Sequence, residues 1–305
     1  MLNFKPIKIE DRDIITPYLN KYGALSCQHS MTLFTGLSMK YADEYAIEEG
    51  ILFVHRSKLD ANETGGRRVY LAPLCDKDKL KRGVDILLCD ASEHECKAVF
   101  NTVTEEFKSF LEKEYPERFS YIYSRDYAEY IYETEKLSVL PGRPLAPKRN
   151  RVRAFYSSYE GHIDIQNITR DNIADVAAFQ EYWINDRLSE GYDEMLAREN
   201  EAIKYYLSHY DELGFKGIVV YVKGTVVGYA AGTALSDECI DEVIEKGRKD
   251  VTGVYQLLCN EFAILCAKGY KYINREEDLG VEGLRRAKES YCPDIMLEKY
   301  IVSEL

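Results

Sequence analysis

One tryptophan, five histidines and no C-x-x-C pair stand among the 305 residues of this chain. The histidines, at 29, 55, 94, 162 and 209, are too scattered for metal-ligand spacing. No Ser-His-Asp or Cys-His pattern stands out. A metal centre is therefore not expected. The eight cysteines form no finger-like pairs with histidines. Cys259 and Cys266 lie seven apart on one expected helix, hence on one face, and read as buried free thiols. Long apolar runs are also missing. The longest, 226–235, contains two glycines and falls well short of the ~20 residues a spanning helix needs. The start, MLNFKPIKIEDRD, has no signal-peptide pattern, so the cytoplasm is the expected location. Positive charge is short as well: 40 Lys and Arg against 52 Asp and Glu give a formal net charge of −12. Such a surface repels nucleic acid and anionic lipid at long range, so a polyanion would need a local basic patch.

What remains is an ordinary globular composition, 46% hydrophobic and 30% charged, long enough for two domains. The 25 tyrosines suit half-buried sheet faces. Periodicity predicts helices at 11–22, 30–39, about 80–88, from 104, at 171–188 and at 194–210. Strands are expected at 41–48, 51–55, 68–71, 98–103, 119–133 (one or two), 162–168 and 294–302, with a turn or loop at 61–67. An antiparallel meander is expected over 215–222, 225–235 and 239–245, with Lys223-Gly224 as its first turn. The clearest punctuation is 137–147, which holds Pro141, Gly142, Pro144 and Pro147. It suggests a junction between domains 1–140 and 141–305. The order of elements is similar on its two sides, which suggests a structural duplication.

The most informative block follows the meander. A strand, 240–245, runs into a turn at 247–253, a helix begins at Val254, and a second strand, 270–274, opens into Arg275-Glu276-Glu277-Asp278-Leu279-Gly280. A phosphate fits such a helix N-terminus, where unpaired N–H groups and the helix dipole attract anions. Arg248, Lys249, Thr252, Gly253 and Val254 are the candidates to hold it. The competing reading is that Asp250 or Thr252 caps the helix. Glu242 and Glu245 are three apart on a strand and are expected to point to opposite faces. Glu245, nearer the turn, is the candidate base; its other reading is a carboxylate paired with Lys246 or Lys271. Asn274, Arg275 and Glu276 sit at a strand's C-terminal end, where crevices open in α/β architectures. Asp278 is placed with them or caps the next helix. Tyr291 reads as a core tyrosine or as an acid for a leaving group.

Three stretches carry a family likeness. Arg125-Asp126-Tyr127 leads through Tyr130-Ile131-Tyr132 to Leu137 and Leu140-Pro141-Gly142. Lys148-Arg149-Asn150 is followed by Phe155. Tyr272-Ile273-Asn274-Arg275-Glu276-Glu277-Asp278-Leu279-Gly280 continues to Gly283-Leu284-Arg285 and Lys288. With the order of elements in the C-terminal half, the chain resembles the bacterial family related to the C-terminal domain of phosphatidylglycerol lysyltransferase. The resemblance implies an α+β fold of two tandem GNAT-like domains, with mixed, mostly antiparallel sheets flanked by helices. It also implies transfer of an acyl or aminoacyl group to an amine or hydroxyl acceptor. The first donor to consider is coenzyme A or an acyl-CoA bound in the C-terminal domain, with Glu245, Asn274 and Glu276 catalytic and Lys148, Arg149, Asn150, Arg275 and Asp278 on the substrate. The second is an aminoacyl-tRNA, for which the basic stretch 148–153 is a clamp, against the net charge. A third reading is a catalytically degenerate module that binds a nucleotide-like ligand or a protein. One departure matters. GNAT enzymes bind the CoA pyrophosphate with a Gln/Arg-x-x-Gly-x-Gly/Ala turn, and here the second small residue is missing and Asp250 adds a negative charge.

Overall fold

The computed structural model describes residues 2–59, 66–189, 191 and 193–305. The loop expected at 61–67 lies mostly outside the described residues. The chain divides into two compact units that are not contiguous in sequence: Met1–Glu129 with Glu277–Val281 and Met296–Leu305, and Tyr130–Glu276 with Glu282–Ile295. The proline-rich stretch 137–147 falls inside the second.

Unit 1 carries a seven-stranded sheet in the order β1-β2-β3-β4-β5-β14-β6. Its strands are β1 (Lys5–Pro6), β2 (Asp43–Glu48), β3 (Ile51–Arg56), β4 (Arg68–Tyr70), β5 (Ala98–Val103), β6 (Phe119–Tyr123) and the terminal β14 (Tyr300–Glu304). Its helices are α1 (Arg12–Tyr22), α2 (Met31–Gly36), α3 (Ser38–Tyr41), α4 (Leu80–Glu93) and α5 (Glu105–Glu114). Ser30 caps α2 by accepting from Leu33 N–H, as expected. All six residues of β3 are buried, the mark of a central strand. The apolar stripe of α4, with Val84, Leu87 and Ala91 buried, packs on Phe53, Phe100 and Phe107 in one core.

Unit 2 carries a second seven-stranded sheet, β13-β7-β12-β11-β10-β9-β8. The strands are β7 (Glu129–Glu133), β8 (Ile163–Asn167), β9 (Lys216–Val222), β10 (Thr225–Ala234), β11 (Cys239–Gly247), β12 (Tyr272–Asn274) and β13 (Ile295–Leu297). The helices are α6 (Thr134–Val139), α7 (Ala146–Ser158), α8 (Ile173–Leu188), α9 (Glu194–Ser208), α10 (Val254–Leu265) and α11 (Glu282–Glu289). Lys223 and Gly224 both take positive φ at the β9–β10 turn, the geometry that matches strand twist in a two-residue hairpin.

Both sheets repeat one order. A three-strand antiparallel meander, β2-β3-β4 or β9-β10-β11, pairs in parallel with the next strand, β5 or β12. That strand then takes an antiparallel partner distant in sequence: β14, from the end of the chain, joins β5, and β7, from its middle, joins β12. The fold is α+β, a tandem of GNAT-like units with mostly antiparallel sheets. This pairing settles the first of two stretches, left open as one or two strands, and corrects the second, expected as one. The tyrosine-rich run 119–133 is two strands in different sheets, and 294–302 is likewise two, β13 and β14. Strand partners depend on non-local packing that alternation alone does not encode. Among the described residues no helix is long and apolar enough to cross a membrane.

Candidate active site in unit 2

The site is built on an irregularity in β11. Ala231 pairs with Ile244 and Thr233 with Asp241, so Gly232 alone opposes Glu242 and Val243. This is a β-bulge, and it requires glycine: a Cβ on Gly232 would lie 1.8 Å from the Asp241 carbonyl oxygen. The extra residue changes which way the following side chains point. Glu242 and Glu245 therefore do not face opposite sides, as strict alternation predicts; both reach the same guanidinium.

That guanidinium belongs to Arg275, the first residue beyond β12. β12 runs parallel to β11, with Ile240 opposite Ile273 and Asp241 opposite Asn274. Arg275 Nε lies 2.5 Å from Glu242 Oε2, and its Nη2 bonds Glu245 Oε2. Tyr291 lies against the group, its ring centroid 5.3 Å from the guanidinium and 4.3 Å from Lys148 Nζ. Arg275 is thus the partner of Glu245, in place of the Lys246 or Lys271 of its alternative reading. Lys246 instead pairs with Glu199 at 2.7 Å.

Burial dominates the electrostatics. It pushes Glu242 up to about 8, against the lowering effect of Arg275 and with help from the neighbouring Glu245. The second oxygen of Glu242, Oε1, is buried without a hydrogen-bond partner. Burial also drives the Cys259 thiol and the Tyr291 hydroxyl upward, and it lowers Lys148, whose neighbours Arg275 and Arg151 act in the same sense. Ligand atoms of Glu242, Glu245 and Cys259 lie within 4.8 Å of one another. Arg275 is the cation these carboxylates already hold. Two carboxyl groups thus share one cation, and burial favours the protonated form of the more buried one, Glu242.

The expected phosphate turn is arranged differently. Arg248 binds Asp250 through two bonds of 2.9 and 2.8 Å, and Lys249 pairs with Asp186 at 3.1 Å. Gly253 opens α10 at φ +88, and a Cβ there would come 3.1 Å from the carbonyl oxygen of Arg151 on α7. A carbonyl and two paired cations leave little for a pyrophosphate, so these residues fit coenzyme A poorly. Thr252 is exposed and Val254 is buried in the first turn.

The remaining candidates divide. Lys148, Glu245 and Arg275 are brought together around Tyr291. Arg149 turns back to the carbonyls of Leu140 and Gly142, closing the end of α6, while Asn150 is exposed on α7. Asn274 is wholly buried and accepts from the Glu276 N–H at 2.7 Å, shaping the loop in which Glu276 takes φ +55. Asp278 belongs to unit 1, where it accepts from the Gly280 N–H at 2.9 Å and meets Arg125 at 3.0 Å. Glu242 and Cys259 are the members of the site that sequence reasoning passed over. The one signal for Glu242 was Gly232, since an isolated glycine inside a strand pattern marks a bulge.

The fold defines the chain as a GNAT-like protein, with a buried Glu242–Arg275–Glu245 cluster beside the parallel strand pair. Residues 20–303 match the model of the family described as phosphatidylglycerol lysyltransferase, C-terminal, and the chain belongs to that family. It is similar to a crystal structure of a conserved protein of unknown function from Bacteroides thetaiotaomicron, with 30% identity and a TM-score of 0.91 over 100% of both chains. It also resembles the C-terminal domain of a putative lysylphosphatidylglycerol synthetase from Agrobacterium fabrum. There the identity is 13% and the TM-score 0.68, over 97% of this chain and 92% of that one, a likeness of fold. An uncharacterized protein of Mycoplasmoides gallisepticum is 26% identical over 174 residues, 57% of this chain. The match spans about half, 55%, of that protein's length. Family and fold together suggest an acyl- or aminoacyl-transferase related to lysyl-phosphatidylglycerol synthase.

Proposed function

We propose that the chain transfers an aminoacyl group from an aminoacyl-tRNA ester to an amine or hydroxyl acceptor, with Glu242, Arg275 and Glu245 as its acid/base centre. The observation that carries the reading is the pair of carboxyl groups joined by one guanidinium, the more buried of them, Glu242, pushed up by burial towards its protonated form. In the transfer, the acceptor nitrogen or oxygen bonds the donor carbonyl carbon and the ester C–O bond breaks. The acceptor loses a proton and the leaving oxygen gains one. Glu245, the less buried of the two carboxylates, takes the first, and the pair returns the second. Lys148, which has no carboxylate partner among the described residues, meets the developing oxyanion.

The choice of donor rests on family membership and on charge. Arg143, Arg151 and Arg153 are exposed along α7 and its approach, and none has an ion pair among the described residues. This is the local basic patch that an acidic chain needs to hold a polyanion. The turn at 248–254 has both its cations paired with carboxylates, Arg248 with Asp250 and Lys249 with Asp186 on α8, so no step is routed through coenzyme A.

The full chain, offered charged tRNA, uncharged tRNA, coenzyme A and acetyl-CoA, distinguishes the donors. Retention of charged over uncharged tRNA, with aminoacyl transfer to an added amine, is the expected result. A rise in melting temperature with acetyl-CoA, lost in Gly253→Trp, would overturn it in favour of an acyl-CoA donor.

A further inference from the structure

Unit 1 contains a cavity of about 100 Å³ that the proposed transfer does not use. Two lysines, Lys40 and Lys299, stand in its wall, and no aspartate or glutamate does, in a chain of net charge −12. Lys299 is spoken for: it is wholly buried and pairs with the equally buried Glu129 at 2.7 Å. Lys40 has no carboxylate partner among the described residues, and its Nζ lies 4.7 Å over the ring of Tyr41.

The floor of the cavity is irregular. Tyr300 pairs with Val103 and Val302 with Phe100, so Ile301 alone opposes Asn101 and Thr102. Thr102 takes φ +52 within the strand. A β-branched residue in the left-handed region is a true outlier, held only where the surroundings over-determine it. Bulges and strain of this kind gather at binding sites. Behind the floor, the fully buried Arg56 donates from Nη1 to Asn101 Oδ1 at 3.2 Å and stacks on Tyr41 at 4.2 Å. That bond occupies the amide oxygen of Asn101 and leaves its NH2 as a donor.

The geometry points to this cavity as a binding site for the carboxylate of a small organic acid, held by Lys40 and the Asn101 amide. One uncommitted ammonium matches one negative charge, whereas a phosphate carries roughly −1.5 to −2 at pH 7. Leu59 and Ile301 in the wall suit a short carbon body. The volume is below the ~150 Å³ of a cavity that holds benzene, so the ligand is an acid of a few heavy atoms or the acid end of a longer one.

Calorimetry of the full chain against acetate, lactate and benzoate, with inorganic phosphate as the rival anion, tests this. Saturable binding of at least one carboxylate is expected, weakened at least ~10-fold by Lys40→Ala and partly restored by Lys40→Arg. Asn101→Asp, which replaces the donor amide with a like charge, is expected to weaken it as much. Glu245→Gln, in unit 2, leaves it unchanged, so failure here is separable from failure of the transferase reading. No saturation by any of the three acids, tighter binding of phosphate than of all three, or binding indifferent to Lys40→Ala would each overturn the assignment.

Discussion

Arg275 Nε stands 2.5 Å from Glu242 Oε2, and the same guanidinium holds Glu245. A single cation therefore compensates two carboxyl groups in a site shielded from water. Burial and the neighbouring Glu245 push Glu242 up to about 8, so of the pair it is Glu242 that favours its protonated form. The consequences reach both stability and turnover.

The two glutamates are expected to separate in kinetics. Glu245→Gln lowers kcat by about 10²–10⁴-fold with little change in donor binding, the range for loss of general acid–base catalysis. Glu242→Gln acts through its neighbour: it is expected to move the upper break of the pH profile, which the burial of Glu242 sets in the wild type. Steady-state rates from pH 6 to 9.5 measure both effects, and equal, pH-independent losses would remove the distinction.

Stability should carry the same signature. Glu242 holds its proton more tightly in the folded chain, so between its ordinary value of 4.5 and about 8 the folded state binds more protons than the unfolded. Stability from this group is full below the unfolded value and is lost as pH rises through the folded one. The melting temperature of Glu242→Gln, relative to wild type, is expected to climb between pH 5 and 9. A flat difference across that range would show that Glu242 titrates normally.

Removing the cation leaves buried carboxylates with no partner. Arg275→Met is expected to cost about 3–5 kcal/mol at pH 8 and clearly less at pH 5, where the carboxyl groups take up protons. Urea unfolding at the two values reads the difference.

The bulge can be attacked from the opposite strand. Gly232→Ala places a methyl group where the Asp241 carbonyl now lies, at 1.8 Å, and backbone must move. A loss of at least ~2 kcal/mol is expected. Gly228→Ala, which meets Lys246 O at 2.8 Å on the same pair of strands but outside the bulge, should destabilise while moving the pH profile less.

Charge on α7 should govern donor affinity and not stability. Arg151→Ala and Arg153→Ala, both at exposed positions, are each expected to reduce the slope of log K against log salt for charged tRNA by about one for each phosphate left unneutralised. Melting temperatures should stay within a degree or so of wild type. An unchanged salt slope in both variants would place the polyanion elsewhere.

Much of the secondary structure was legible. The strand expected at 98–103 is β5 to the residue, and the helix expected from Val254 begins there. The likeness carried by Lys148-Arg149-Asn150 and by the stretch from Tyr272 pointed to the right family, and it included Arg275 and Lys148. Glu245 was singled out as a base, but the role of Glu242 was not, because a two-residue period leaves no room for the extra residue at the bulge. The pairing of Arg248 with Asp250 and of Lys249 with Asp186 in the turn at 248–254 was not legible for a related reason: it depends on side-chain directions that spacing does not give.

The sequence by itself determined the alternation of helices and strands, the glycine that a bulge demands, and the family. These rest on local sterics and periodicity, which act within a few residues. Only the tertiary structure decided that β14 returns to the first sheet and β7 to the second, and that one arginine joins two carboxylates beside Lys148 and Tyr291. Strand pairing and charge pairing are settled by burial and distance between residues far apart in the chain, where the energy of a match depends on everything packed around it.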